Sequence, residues 1–207
     1  MSGLQSKFFR YGESAEEEVS EAEARADESF ARGVFDAAGE LVRKEHYRKG
    51  ELKQVRYYAG GLESIIAEHA RDYPGVEFAA VRTESAPEGF RWTFLARFAA
   101  DGSSLGFITH LVDPAGSELM TLEYDAAGDL RVITKDWDES PDESGMLFEY
   151  GSDGQNVLVS DLEYGDSLNF EGVLQAMPDP AFYADGLALP AALAGTPIPA
   201  VRDHFPR

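Results

Sequence analysis

The sequence predicts an α+β fold: a large, twisted antiparallel β-meander with one helix packed on a face and an acidic helix at the N-terminus. Three observations predict it. Residues 90–98, "FRWTFLARF", show the clearest alternation in the chain, with Phe90, Trp92, Phe94, Ala96 and Phe98 on one side and Arg91, Thr93 and Arg97 on the other, the period of a strand with one face on a core. Short polar segments with Gly and Asp recur about every dozen residues through the second half, as in a meander. Residues 62–73 place Leu62, Ile65, Ile66, His69, Ala70 and Tyr73 on one helical face.

In chain order, residues 13–32 read as a helix, because Ala15, Val19, Ala22, Ala26 and Phe30 recur at spacings of three and four. Ser14 and Glu17 have capping-box spacing. Eight acids and two arginines in this stretch predict weak docking. From Val34 to Tyr58 the pattern is strand, turn, strand, turn, strand. The helix at 62–73 is ended by Pro74 and Gly75. Strands follow at 90–98 and at about 105–112, 119–124, 130–137, 146–150 and 157–164, for roughly seven to ten in all. The last thirty residues hold six of the ten prolines and read as an irregular arm. The expected organisation is an acidic helical appendage (1–33), a sheet domain with the inserted helix (34–177) and a Pro-rich C-terminal arm packed on that domain (178–207).

One turn recurs. "FDAAGEL" at 35, "FAADGSSL" at 98, "VDPAGSEL" at 112, "YDAAGDL" at 124 and "YGSDGQNV" at 150 share D-x-x-G or x-x-D-G between apolar flanks. Asp caps backbone amides two residues on, and Gly takes positive φ at no steric cost. "YDAAGDL" resembles the Y-D-x-x-G-x-L core of YD repeats, found in the shells of bacterial Rhs-type toxins. "HYRKGELKQVRYYAGG" resembles the Y-x-x-G-x-L-K…Y units of MORN-like repeat proteins, some of them antitoxins. The resemblance implies a hairpin-built sheet and a toxin-neutralising context.

Charge is the other strong signal. The formal net charge is −20, from 38 acids against 18 bases. Val112 to Glu171 holds 16 acids and only Arg131 and Lys135 as bases, whereas Phe35 to Tyr58 holds 4 acids and 6 bases. Such a field repels nucleic acid and anionic membranes and attracts a basic protein. The predicted partner-binding residues are Asp136, Trp137, Asp138, Glu139, Asp142, Glu143, Asp161, Glu163 and Asp166. Trp137 among acids is the kind of anchor that interfaces favour.

Catalytic and metal chemistry find little support. There is no cysteine, which removes thiolate ligands and nucleophiles. No G-x-S-x-G, P-loop or H-E-x-x-H occurs. "DWDESPDESG" at 136 imitates a calcium loop, but Pro141 stands where Gly belongs and Leu147 where Glu belongs. His69, on an apolar helix face, reads as a core residue. No cofactor is expected. No apolar run is long enough to span a bilayer and no secretory signal is read at the N-terminus, so the expected location is the cytoplasm. The expected function is non-enzymatic: an immunity protein or antitoxin that occludes a basic toxin or effector, such as a nuclease. Two alternatives are a small-molecule or hydrolytic site lined by the aromatic row 90–98, and an adaptor gripping its partner with the C-terminal arm.

Overall fold

Alternating apolar residues and Asp–Gly turns build most of the chain into hairpins. The structure, a computed structural model, describes residues 4–11, 16–137, 145–161 and 167–205. Its strands are β1 (Gln5–Tyr11), β2 (Glu16–Val19), β3 (Ser29–Phe35), β4 (Leu41–Arg48), β5 (Glu51–Tyr57), β6 (Glu77–Ser85), β7 (Arg91–Phe98), β8 (Ser104–Val112), β9 (Glu118–Tyr124), β10 (Leu130–Trp137), β11 (Met146–Gly151) and β12 (Asn156–Asp161). The α-helices are α1 (Glu21–Ala26), α2 (Leu62–Asp72), α3 (Phe170–Leu174) and α4 (Pro180–Ala184). The sheet is mixed and mostly antiparallel, an α+β arrangement with more strands than the sequence predicts. The chain divides into two compact units: Met1–Arg82 with Leu95–Leu105 and Phe205–Arg207, and Thr83–Phe94 with Gly106–His204.

In the first unit the strand order is β2-β1-β3-β4-β5-β6. All its pairs are antiparallel except β5–β6, which is parallel. A parallel pair needs a crossover, and α2 supplies it. The helix buries Ile65 and His69 against the sheet. His69 stacks on Phe78 at 4.1 Å between ring centres, and Phe78 stacks on Phe98 at 4.8 Å.

The acidic helix predicted over 13–32 is not what forms. Among the described residues of that span only Glu21–Ala26 is helical, between β2 and β3. Its capping box is Ser20 with Glu23, whose amide donates to Ser20 Oγ while Glu23 Oε2 accepts from the Ser20 amide at 2.9 Å. The expected Ser14 cap lies outside the described residues. The alanine stripe offers a helix little area to bury. As strand β3, the same segment buries Phe30, Ala31 and Val34 and pairs its backbone on both sides, with β1 and β4. Ladder bonds and burial outweigh the weak helical propensity.

In the second unit β8 to β12 run as an antiparallel meander in sequence order. One face is closed by the C-terminal segment: Met177, Phe182, Tyr183, Leu193 and Val201 are buried, as are Leu111, Met120, Leu122, Ile133, Phe148, Tyr150 and Val159 of the strands. The segment predicted as an irregular arm thus contributes core residues, in α4 and two 3-10 turns (191–193 and 201–204).

All five repeated turns share one frame. The first residue's amide donates to the carbonyl four residues on, and the glycine amide donates back to the first residue's carbonyl: Asp36/Gly39, Ala99/Gly102, Asp113/Gly116, Asp125/Gly128 and Gly151/Gly154. The five glycines have φ between +79° and +99°. The aspartate accepts the amide that follows the glycine from either sequence position. Asp36, Asp113 and Asp125 reach it from the first position, Asp101 and Asp153 from the third.

Candidate partner-binding surface

The two units divide the charge unequally. The first carries 17 acids and 14 bases, a formal charge of −3; the second carries 21 acids and 4 bases, a charge of −17. In the first unit acids and bases are interleaved across neighbouring strands and pair with one another: Lys7–Glu18 and Arg10–Asp27 at 2.8 Å, Arg32–Glu45 at 2.7 Å, and Lys44 with Glu16. A shallow cleft of about 590 Å³ lined by Arg10, Asp27, Glu28, Ser29 and Arg48 is likewise mixed in sign.

Of the four bases in the second unit, Lys135 contributes nothing to the surface. Strand parity places it between Ile133 and Phe148 on the covered face, fully buried. Its Nζ donates to the backbone carbonyls of Phe182, Asp185 (2.7 Å) and Ala188 (2.8 Å), at the end of α4 and just beyond. It also sits 3.9 Å from the centre of the Phe182 ring. Burial pushes the ammonium down to about 7, against the opposing pull of Asp185 and Asp179. Arg131 is held by Asp125, its Nε at 3.0 Å. The remaining bases are Arg91 and Arg202, both exposed.

The face of β8–β12 opposite the C-terminal segment is half-exposed. Cross-strand partners on it form rows. One runs His110, Thr121, Thr134, Glu149, Leu158 across five strands; a second runs Ile108, Glu123, Val132; a third runs Asp136, Leu147, Ser160. No lysine or arginine stands in these rows. At one end His110 Nδ1 lies 2.8 Å from Glu118 Oε1 and 3.0 Å from Thr121 Oγ1.

Three of the predicted partner-binding residues, Asp136, Trp137 and Asp161, are described, and they fall at one end of this meander. Asp136 pairs with Leu147, and Trp137 pairs with Met146, which pairs in turn with Asp161. Trp137 and Asp161 therefore share a register row and a sheet face, and Asp136 points to the opposite, open face. All three are half-buried. Asp138, Glu139, Asp142, Glu143, Glu163 and Asp166 lie outside the described residues.

The other candidate groups are structural. Phe94 is fully buried and stacks on His204 at 3.6 Å; Trp92 and Phe98 are 3% and 5% exposed. Of the aromatic row, Trp92, Phe94, Ala96 and Phe98 are buried and Phe90 is half-buried. His69 is buried, with Nδ1 3.1 Å from the Tyr57 hydroxyl and Nε2 2.8 Å from the Val76 carbonyl. Glu45, fully buried in β4, accepts from Arg32, Tyr47 and Tyr73, each at 2.7 Å. Burial pushes its carboxyl up, but those three donors outweigh it and hold it below the usual carboxylate range. Burial, with Arg56 and Lys44 nearby, pushes His46 down to about 4.

Sequence reading missed Lys135 and Glu45 as buried charges. For Lys135 the signal was present: it shares strand parity with Ile133 and Trp137 in "LRVITKDW". Among the described residues no helix is long and apolar enough to cross a membrane, and no cluster of three or more His, Asp or Glu is placed to hold a metal. Comparison with known protein families, characterised proteins and solved structures finds no match to this chain.

Proposed function

We propose that this chain is a non-enzymatic binding protein of the immunity or antitoxin kind, acting in the bacterial cytoplasm, that occludes a basic toxin or effector through the acidic surface of its second unit. A nuclease fits the required charge, because a protein that binds phosphates presents the basic surface this unit attracts. The carrying observation is the segregation of charge: 21 acids against 4 bases in one unit, with one of those bases spent on backbone carbonyls in the core. A surface evolved for solubility alone gains nothing from sorting its cations into the other unit. A field of one sign speeds encounter with a basic partner by roughly 10 to 1000-fold and imposes register on docking.

Affinity capture from the native cell, followed by reconstitution with the purified partner, tests the proposal. The expected partner has an isoelectric point above about 9, and its affinity falls at least about tenfold between about 0.05 M and about 0.5 M salt. Its toxic activity is suppressed in the complex. A partner without basic character, or an affinity indifferent to salt, overturns it.

A further inference from the structure

The open face of β8–β12 lies opposite the C-terminal segment, and most of its residues are half-buried or exposed. Residues 170–188, C-terminal to β12, pack on the other side: Lys135 and Tyr150 bond to carbonyls of Phe182, Tyr183, Asp185 and Ala188, and Phe148 packs on Phe170 and Tyr183. The open face is not a solvating one. Ile108, Val132 and Leu147 are half-buried and Leu158 is 37% exposed, interleaved with the carboxylates of Glu123, Asp136 and Glu149. At about 4.8 Å between strands, five strands make it about 20 Å wide. A sheet face exposed only to water usually mixes both signs of charge; this one carries a single sign among its aliphatic residues.

We infer that a folded basic protein docks flat on this face, centred on Thr134, Glu149 and Leu158. The inference rests on the reading of the chain as a binder of a basic partner and adds where that partner sits. Charge selects the occupant. A second copy would bring a unit of charge −17 against another of −17, and an anionic membrane is repelled in the same way. A protein presenting Lys and Arg around aliphatic residues matches both parts of the surface: its cations meet Glu123, Asp136 and Glu149, and its apolar side chains meet Val132, Leu147 and Leu158. Like charges at the rim suppress wrong partners, and the aliphatic rows exclude water from the ion pairs.

The test uses the full chain and cytochrome c as the basic probe, at low salt. Amide shifts are followed by NMR and affinity by calorimetry. Two double variants change the charge equally: Glu123→Lys with Glu149→Lys on the face, and Asp129→Lys with Glu171→Lys away from it. The face pair is expected to weaken binding at least about tenfold and the remote pair less than about threefold, with shifted amides concentrated in the three rows. If the lysine pair lowers the thermal midpoint, Glu123→Gln with Glu149→Gln replaces it, with an expected weakening of about threefold. Equal weakening by both pairs, with shifts scattered over the unit, overturns the face but leaves the acidic-binder reading standing. Absence of any binding to the native chain overturns both. Concentration-dependent dimerisation through the same amides, seen by sedimentation, also overturns the inference, because it makes a second copy the occupant.

Discussion

Lys135 shows how one residue ties two segments together. An ammonium has three hydrogens, and three carbonyls from residues 182–188 receive them. Those carbonyls lie at or past the end of α4, where backbone oxygens have no helical partner. Burial costs the cation its hydration, which is why its affinity for the proton falls to about 7. The same burial makes removal of the cation costly, since the three acceptors cannot then reach water. Lys135→Met, which keeps most of the volume, is expected to lower unfolding stability by about 3 kcal/mol. Urea unfolding followed by tryptophan fluorescence measures it. A loss below about 1 kcal/mol would show that water replaces the ammonium.

At the scale of the element, the turns and bulges set the register on which the open face depends. Gly39 and Gly106 both have positive φ, at +86° and +115°, but differ in surroundings. A Cβ at Gly39 meets nothing within 4 Å, whereas one at Gly106 overlaps the Tyr124 carbonyl oxygen across the β8–β9 pair. Gly39→Ala is therefore expected to cost about 1 kcal/mol, the backbone term alone. Gly106→Ala should cost at least about 2–3 kcal/mol, because the strands must separate to admit the methyl group. Denaturant midpoints of the two variants decide it, and equal costs would contradict the close approach. The elements also mark where sequence periodicity is informative. Strand β7 was legible from its period of two, and the strands after it from the Gly and Asp turns that separate them. Strand β6 was missed because Phe78, Ala79, Ala80 and Val81 are all buried, and a strand covered on both faces loses its alternation. Strands β1 and β2 were missed because "SKFF" and "EEEV" carry no alternation either. Their pairing is sustained by partners distant in sequence: Lys7 with Glu18, and Lys44 with Glu16.

At the scale of the whole molecule, the C-terminal segment separates the binding reading from the adaptor reading. Phe182, Tyr183, Leu193 and Val201 are each at most 5% exposed. Burial of each contributes about 1.5–3 kcal/mol, so together they match the net stability of a typical domain. A chain ended after residue 177 is expected to lose cooperative unfolding of the second unit, seen as loss of amide protection in β8–β12 by hydrogen exchange. Retained protection with lost partner binding would instead favour an adaptor arm.

The sequence by itself determined the α+β class, the positions of β7 to β11 and of α2, the five equivalent turns and the concentration of acid in the second half. These are local matters of period, turn chemistry and composition. Tertiary structure decided the rest. Residues 29–32 became strand rather than helix because two neighbours were available to pair with them, and Lys135 became core because three carbonyls met it there. The candidate surface passed from a list of acidic residues to one open sheet face because the C-terminal segment covers only the other. Which side of a sheet stays open depends on contacts between residues far apart in the chain, and no local pattern encodes it.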